Sequence, residues 1–253
     1  MPTQELSSLG HPYVKHLVKL RLDRNYRYQE GLVLVSGLNL LRDLAPQISF
    51  KTLLLTHGYQ PDFSYRSQQV CYVSYDILKK VSGLIKPEPL VAEIYMPEPA
   101  PLKNLRALLI LDGIADPGNL GTLLRTALAL GWDGAFITQG STDPYNEKAL
   151  RAAKTATFKL AWRQGNISEL VALLKKNHLK LYAADARGHN FREISVVVPL
   201  ALALGNEAHG LSPELKNQAQ LIAVAMSGPM ESLNVASAGA IIMHCLAPAC
   251  SKS

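Results

Sequence analysis

The sequence predicts an α/β protein whose larger part is a parallel sheet covered by helices and whose smaller, N-terminal part is a second α/β domain. From residue 105 onward, short apolar runs alternate with stretches of helical periodicity, as in sheets that are buried on both faces. Five prolines fall in residues 86–104, and because each proline fixes φ and removes a backbone donor, they mark a boundary. We therefore expect domains at 1–96 and 105–253, joined by a linker at 97–104.

The N-terminal part combines predicted strands and helices. Apolar runs at 32–35 and 53–55 are typical of buried strands, and residues 90–96, LVAEIYM, form a further strand candidate. Residues 38–44 and 75–81 have helical patterns. These elements are enough for a small α/β domain with a core of its own.

Residues 11–30 interleave basic and aromatic side chains. The basic residues are Lys15, Lys19, Arg21, Arg24 and Arg27, and the aromatic residues are Tyr13, Tyr26 and Tyr28. Basic groups can meet phosphates while aromatic rings stack on unpaired bases, so the segment is a candidate RNA-binding surface. A solvated helix face explains the same pattern equally well, and the sequence leaves both interpretations open.

The overall composition is that of a globular protein with a mild basic excess. Of the 253 residues, 48% are hydrophobic, and 26 Lys and Arg against 20 Asp and Glu give a net charge of +6. This charge is compatible with a phosphate-rich partner but does not require one. The three cysteines form no CxxC or Cys/His cluster, which favours a reducing compartment without disulfides or structural zinc. Because residues 1–16 lack a signal-peptide pattern and no apolar run approaches the roughly 18 residues of a membrane span, we expect a cytoplasmic protein with no membrane partner. No metal is expected either, since no Cys/His cluster is present.

Five strands and five helices are predicted to alternate in the C-terminal part. The strands are expected at 107–111, 134–138, 179–183, 199–204 and 221–225, and the helices at 119–130, 146–155, 167–177, 212–218 and 234–246. Ligands of such sheets bind beyond the carboxyl ends of the strands. The loops that follow the strands are therefore where a functional site is expected.

The first loop contains Asp116-Pro117-Gly118-Asn119, a turn pattern in which Asn119 is a candidate cap for the next helix. On that helix Arg125 lies on a face that otherwise carries small residues. It is either an ordinary surface arginine or a guanidinium that points into an approaching ligand. The segment contains neither a P-loop pattern nor GxGxxG, which argues against the usual nucleotide-binding loops.

The second loop leaves its strand through Gly205 and returns through Gly210. The two glycines around Asn206-Glu207 allow an irregular backbone that exposes main-chain groups. Ser212, which is followed by proline, is typical of a helix N-cap. Glu207 on its own is most simply a surface acid.

The third loop leads into a helix for which Ser232 or Asn234 can act as the cap. The helix then begins with residues 236–240, Ala-Ser-Ala-Gly-Ala. A glycine costs roughly 1 kcal/mol in a helix interior. A run this poor in side chains is explained when another backbone or a flat ligand lies very close, and a core helix with a small face is the alternative.

The three loops carry sequence motifs that occur in order, each after a predicted strand. N-x-G-x-x-x-R-T-A is matched by Asn119, Gly121, Arg125, Thr126 and Ala127; L-G-x-E-x-x-G-L by Leu204, Gly205, Glu207, Gly210 and Leu211; and P-M-x-G-x-x-x-S-L-N-V by Met226, Gly228, Ser232, Leu233, Asn234 and Val235. This set resembles the SpoU/TrmH family of RNA 2′-O-ribose methyltransferases, within the knotted SPOUT superfamily. In the N-terminal part, GLVLVSGLNLLRDL is similar to the family's ribosomal-protein-like substrate-binding domain.

Three positions depart from the family pattern. Ala225 replaces the proline of the third motif, Ser36 replaces a glutamate, and residues 87–89 read Pro-Glu-Pro in place of P-Q-G. The first departure concerns the shape of the cofactor loop. The other two lie in the accessory domain and concern the choice of target.

The resemblance implies a fold, a cofactor and partners. A C-terminal trefoil knot would involve the segments around 202–212 and 222–240. The cofactor would be S-adenosylmethionine, bound by Gly205, Val224, Leu233, Leu204, Met226 and Thr138. The partners would be RNA and a second copy of the chain in a homodimer.

The resemblance also implies a catalytic set, which comprises Arg125, Asn119, Glu207, Asn234 and Ser232. A guanidinium stays protonated at neutral pH, so we expect Arg125 to clamp a phosphate and to stabilise the developing alkoxide. Asn119, Glu207 and Asn234 would orient the ribose. Ser232 would shape the third loop, and whether Glu207 also acts as a base stays open.

The choice of target is less defined than the reaction. Ribosomal RNA is favoured over tRNA because the accessory domain is typical of the ribosomal branch. A tRNA 2′-O-methyltransferase and a catalytically silent RNA-binding member of the same fold are the alternatives. A doubly wound dehydrogenase is disfavoured by the missing dinucleotide fingerprint.

Overall fold

A computed structural model describes residues 3–230 and 232–250 of the chain, which divides into two units. The first unit comprises Met1–Pro97 with Tyr145–Arg151, and the second comprises Glu98–Pro144 with Ala152–Ser253. Within the described ranges, no helix has both the length and the apolar character needed to cross a bilayer.

The first unit is built on a mixed five-stranded sheet. Its strands are β1 (Thr3–Leu6), β2 (Leu32–Ser36), β3 (Phe50–Thr56), β4 (Ser67–Val73) and β5 (Leu90–Tyr95), and its helices are α1 (Pro12–Leu22), α2 (Arg24–Glu30), α3 (Leu38–Leu44) and α4 (Tyr75–Ser82). The spatial order is β1-β4-β3-β5-β2, with β4 parallel to β1 and β3, and β5 antiparallel to β2 and β3. The predicted strands and helices all overlap observed ones. The sequence does not predict β1, in which only the last of the residues TQEL is apolar, or β4, in which serine and two glutamines precede the apolar residues.

A buried carboxylate organises the first unit. Glu93 on β5 is fully buried, and its Oε2 accepts hydrogen bonds from Tyr13 Oη at 2.5 Å and Thr52 Oγ1 at 3.1 Å. Its Oε1 lies 2.7 Å from His16 Nε2 and 3.3 Å from Lys51 Nζ. Burial opposes ionisation, but the hydrogen bonds from Tyr13 and His16 and the charge of Lys51 outweigh it and lower the pKa of Glu93. The hydroxyl of Tyr13 therefore supports the fold of the first unit.

Of the five basic residues predicted to contact RNA, Arg27 is buried in the first unit and Arg21 is partly buried there. Arg27 is buried, and its guanidinium donates to the carbonyls of Leu20 and Arg21 at 2.7 and 2.8 Å. The prediction for Arg27 is therefore corrected, because a buried guanidinium that caps the end of α1 cannot reach a phosphate. Arg21 has only 17% of its side chain exposed and lies against Gly83.

The other three basic residues lie nearer the surface of the first unit. Lys15 and Lys19 are exposed, and Arg24 is partly exposed. Lys19 Nζ lies 4.1 Å from the centroid of the Tyr26 ring, and the guanidinium carbon of Arg24 lies 5.6 Å from that of Tyr28. These three side chains remain a predicted RNA contact.

The second unit is an α/β structure with a six-stranded, fully parallel sheet. Its strands are β6 (Ala107–Asp112), β7 (Gly134–Thr138), β8 (Trp162–Gly165), β9 (Lys180–Asn190), β10 (Leu200–Gly205) and β11 (Gln220–Ala223). The helices are α5 (Pro117–Ala129), α6 (Glu147–Ala153), whose residues up to Arg151 belong to the first unit, α7 (Ala156–Lys159), α8 (Ile167–Lys176), α9 (Pro213–Lys216) and α10 (Val235–Cys250). The spatial order is β11-β9-β10-β6-β7-β8.

The predicted parallel sheet of the second unit is confirmed. Each of the five predicted strands overlaps an observed one, and so does each of the five predicted helices. The sequence does not predict β8, a strand of four residues, WRQG, that lies at the edge of the sheet and contains no apolar run. The strand predicted at 179–183 also ends too early, because β9 continues to Asn190 through the mostly polar residues 185–190.

The small-residue start of α10 lets this helix lie close to its neighbours. A Cβ added at Gly239 would lie 2.6 Å from Leu123 Cδ2 on α5 and 2.6 Å from Leu204 Cδ1 on β10. Ala236 and Ile242 on the same face are buried. At Gly239, the interpretation as a core helix with a small face is therefore confirmed.

Candidate active site

The three motif loops meet through a chain of side-chain hydrogen bonds. Asn119 Nδ2 donates to Glu207 Oε1 at 2.9 Å, and Asn234 Nδ2 donates to Asn119 Oδ1 at 3.1 Å. Asn234 Oδ1 in turn accepts the backbone amides of Ala236 at 2.8 Å and Ser237 at 3.3 Å. Asn234 thus caps α10, as one of the two predicted candidates, and also ties the start of that helix to α5.

The cap of α5 is Asp116 and not Asn119, which corrects the sequence-based assignment. Asp116 Oδ1 accepts the backbone amide of Asn119 at 2.9 Å, with Pro117 in the first helical position. Asn119 therefore lies within the first turn. Because another residue satisfies the helix end, the Asn119 amide is available to join Glu207 and Asn234.

Glu207 is held at the N-terminus of α5 as an anion. Its Oε2 accepts the backbone amide of Ala115 at 3.1 Å, and its Oε1 accepts that of Asp116 at 3.3 Å in addition to the Asn119 side chain. Partial burial works against the charged form, but these hydrogen bonds outweigh it and lower the pKa of Glu207 below its ordinary value. A carboxylate stabilised in this way is a weak base and a good structural anchor.

Asn206 is a site residue that the sequence analysis does not single out. Its Nδ2 donates to the carbonyl of Gly113 at 2.7 Å, and its Oδ1 accepts the amides of Ala208 at 2.8 Å and His209 at 3.0 Å. Its backbone pairs in both directions with Gly210. An asparagine that opens a short loop ending in glycine is a typical Asx-turn pattern, and this signal could have identified it.

Ser212 occupies the N-cap position of α9, as predicted, but it does not cap through its side chain. Its backbone amide instead donates to Asp112 Oδ2 at 2.7 Å, at the carboxyl end of β6. This bond ties the end of the second loop to the strand that precedes the first loop. The loops after β6 and β10 are therefore joined at both Asp112 and Glu207.

A pocket of about 550 Å³ opens beside this network. Its walls include the apolar residues Leu204, Leu211, Ile222, Val224, Leu233 and Ile242, and the charged residues that line it are Asp185, Arg187 and Glu207. Pockets of this size accommodate cofactors and drug-sized ligands. The pocket lies beyond the carboxyl end of β10, where parallel sheets bind their ligands.

Most of the predicted cofactor and loop residues come together in this pocket. Leu204, Gly205, Val224, Met226 and Leu233 line it, together with Ser232 and Asn234. Among the described residues, Thr138 is not part of the lining. It is buried at the end of β7, where its Oγ1 accepts the amide of Gly113 at 3.0 Å and so supports the first loop.

Gly205 permits a close backbone approach at the edge of the pocket. A Cβ built on this residue would lie 2.5 Å from Leu211 N and 2.6 Å from the carbonyl oxygen of Gly210. Both atoms belong to the backbone, which cannot turn aside as the end of a flexible side chain can. The loop after β10 therefore folds back onto its own strand only because position 205 has no side chain.

Arg125 lies apart from the pocket. It is exposed on α5, six residues after Asn119, which corresponds to about 9 Å along the helix axis. Within residues 3–230 and 232–250, its side chain makes no hydrogen bond or ion pair. The predicted catalytic set is thus split into a connected group around Glu207 and an exposed guanidinium further along the same helix.

Replacement of Glu207 by glutamine is expected to lower the turnover number about tenfold, since one amide-accepting oxygen becomes an NH₂ donor that faces other donors. The folded-state pKa of Glu207 is lowered, so its stabilising contribution is complete above the ordinary pKa of about 4.5 and is lost as the pH falls through the lowered value. Glu207→Gln should therefore weaken this acid-induced loss of stability. Thermal unfolding between pH 3 and pH 8 measures this pH dependence of stability.

The matched control is Glu214→Gln, which changes an exposed glutamate on α9 that does not line the pocket. This variant should keep the wild-type turnover and the wild-type pH dependence of unfolding. Equal behaviour of the two variants would show that Glu207 does not anchor the loops.

Two family models match the chain, and together they cover most of it. The model of the SpoU rRNA Methylase family matches residues 106–244. The model of the MRM3-like substrate binding domain matches residues 11–92.

Curated relatives are similar over long stretches. The 23S rRNA (guanosine(2553)-2′-O)-methyltransferase RlmP of Bacillus subtilis is 31% identical over 245 residues, which cover 95% of this chain and 98% of that protein. The mitochondrial rRNA methyltransferase 3A of Danio rerio is 31% identical over 169 residues, which cover 62% of this chain and 39% of that protein.

Solved structures share the fold across nearly the whole chain. An AdoMet-bound rRNA methyltransferase from Sinorhizobium meliloti superposes with a TM-score of 0.83 at 26% identity, covering 95% of this chain and 96% of that one. A structure described as an RNA 2′-O ribose methyltransferase gives a TM-score of 0.79 at 28% identity, covering 95% and 96%.

Proposed function

This chain belongs to the SpoU rRNA methylase family, and on that premise we propose that it transfers a methyl group from S-adenosylmethionine to a ribose 2′-hydroxyl of structured RNA. The observation that carries the proposal is the meeting of Asn119, Glu207 and Asn234 beside one pocket. These residues come from three separate motifs that span more than a hundred positions of the sequence. Ribosomal RNA is the substrate class, as in the relatives named above.

S-adenosylmethionine is the cofactor, and the pocket fits it. The aliphatic side chains of Leu204, Val224 and Leu233 suit an adenine ring, and the close-packed backbone at Gly205 presents main-chain groups to its polar edge. The cofactor supplies a methyl group that is already activated by a positive sulfur. The protein must therefore orient the acceptor and stabilise the charge that develops on it.

The residues of the connected group position the acceptor. Glu207, kept ionised by its hydrogen bonds, fixes the Asn119 side chain, and Asn119 fixes that of Asn234. The two amides can then hold a ribose at the mouth of the pocket. The lowered pKa of Glu207 favours this positioning role over proton abstraction. Ser232, exposed on the pocket lining, would shape the third loop.

The exposed guanidinium of Arg125 is assigned to an RNA phosphate and to the developing alkoxide. Six residues turn the helix by about 600°, so the side chains of Asn119 and Arg125 leave α5 in directions about 120° apart, in addition to the separation of about 9 Å along its axis. A homodimer in which one copy completes the site of the other would bring the two together. We therefore include a homodimer in the proposal.

The proposal also includes finer features of architecture and location. The C-terminal segments around 202–212 and 222–240 form a trefoil knot. Residues 1–96 form the RNA substrate-binding domain, with Lys15, Lys19, Arg24 and the exposed part of Arg21 as contacts, and residues 105–253 form the methyltransferase domain. The match of residues 11–92 to a substrate-binding domain model supports this division. The activity is cytoplasmic.

The test is methyl transfer to ribose. The purified chain is incubated with methyl-labelled S-adenosylmethionine and, in parallel, with unmodified large-subunit rRNA and unmodified tRNA. We expect label in rRNA that survives as 2′-O-methylnucleoside after complete digestion. Label on bases only would overturn the proposed reaction, label on tRNA only would change the target, and cofactor binding without any label would indicate a catalytically silent family member.

A further inference from the structure

Strand β9 leaves its partner β11 for five residues and then returns to it. Leu221 pairs with Ala183, whereas the next residue, Ile222, pairs with His189, so that residues 184–188 have no counterpart in β11. The close approach of Gly188 ends this excursion, since a Cβ there would lie 2.5 Å from Ile222 N. The first four of the five residues line the pocket beside β10. We refer to residues 184–188 as the β9 excursion.

The β9 excursion is anchored through Asp185. This side chain is only 13% exposed; its Oδ2 accepts from Lys216 Nζ, and its Oδ1 accepts the backbone amide of Arg187 at 2.9 Å. The attraction of Lys216 and the amide hydrogen bond outweigh burial and lower the pKa of Asp185. The backbone at Arg187 is therefore held in place by a partly buried carboxylate.

The side chain of Arg187, by contrast, is exposed at the rim of the pocket and forms only a long ion pair with Asp185. It is 84% exposed, and its Nε lies 3.7 Å from Asp185 Oδ1, a separation beyond hydrogen-bond range. Among the described residues that line the pocket, Arg187 is the only one with a positive charge. The fixed backbone places this cation at the pocket, while its own hydrogen-bond donors stay available.

We propose that Arg187 binds the carboxylate of the amino-acid end of S-adenosylmethionine, with Asp185 as its positioning residue. The inference rests on the proposed function and names the part of the pocket that receives the polar end of the cofactor. The carboxylate is the only anionic group of that molecule, and a guanidinium can bind it through two parallel hydrogen bonds. Glu207, the other charged lining residue outside the excursion, is an anion already engaged with α5.

The experiment compares two ligands by calorimetry on the full chain. S-adenosylmethionine carries the amino-acid end, whereas 5′-methylthioadenosine retains the adenosine and the sulfur but lacks it. We expect Arg187→Ala to weaken binding of S-adenosylmethionine on the order of tenfold and to leave that of 5′-methylthioadenosine unchanged. Arg187→Lys should recover part of the loss. Arg192→Ala, which removes an exposed arginine outside the pocket lining, is the matched control and should bind both ligands like wild type.

Two results would overturn the inference while leaving the proposed function intact. If Arg187→Ala weakened the binding of both ligands equally, the substitution would have a general effect on the pocket. Unchanged cofactor affinity with a raised KM for RNA would assign Arg187 to a phosphate of the substrate. A wild-type chain that binds neither ligand would overturn the proposed function and this inference together, a result distinct from the other two.

Discussion

Arg125→Ala is expected to lower the turnover number for methyl transfer about a thousandfold, while its affinity for S-adenosylmethionine stays that of wild type. Arg125 is exposed, has no side-chain partner within the described residues and does not line the pocket. Its removal should therefore disturb neither the fold nor the cofactor. What is lost is a charge that stabilises the transition state, so the effect should appear in the turnover number.

Single-turnover rates and cofactor calorimetry on the same preparation measure this separation. The control is Lys175→Ala, which removes one exposed positive charge from α8 in the same unit and should remain fully active. If Arg125→Ala raises only the KM for RNA, the guanidinium contributes to substrate binding and not to the reaction. If the variant is fully active, Arg125 has no part in either.

Gly205→Ala is expected to have the second large effect, which is a loss of affinity for the cofactor. The added methyl group would press on the backbone of Gly210 and Leu211, and overpacking of this kind costs about 1–3 kcal/mol. Because the displaced backbone lines the pocket, we expect the affinity for S-adenosylmethionine to fall about a hundredfold. Titration calorimetry measures the affinity, and thermal unfolding measures the accompanying loss of stability.

Gly228→Ala provides a matched control for the glycine substitution. Gly228 lies in the third motif, and a Cβ built on it would meet no atom within 4 Å. This variant should fold and bind the cofactor like wild type. Equal cofactor affinity in the two alanine variants would show that the close backbone approach at Gly205 does not shape the pocket.

The sequence predicts those parts of the fold and site that depend on local pattern. Apolar runs identify β6, β7 and β10, which are buried on both faces, and the motifs identify Glu207, Gly205 and Asn234. These features are visible because each is set by a short stretch of neighbouring residues. Family resemblance, and not periodicity, connects the three motifs to one ligand.

What the sequence misses is decided by contacts between distant residues. In the sequence, Arg27 looks like the other basic residues of 11–30. Its role as a structural cap follows only from the packing of α2 against the end of α1. The excursion of β9 is equally invisible, since it depends on which residues of β11 pair with Ala183 and His189. Thr138 matches a position implied by the family, yet local packing turns it towards Gly113.

Asn234 belongs both to the pocket lining and to the hydrogen-bond network that joins α5 and α10. It lines the pocket, and both its amide nitrogen and its carbonyl oxygen are engaged, with Asn119 on one side and the first turn of α10 on the other. Any movement of this segment must therefore break a bond to α5 or uncap α10. The filling of the pocket and the alignment of the acceptor are mechanically coupled through a single side chain. Such a linkage predicts that the cofactor and the RNA change each other's affinity by the same factor.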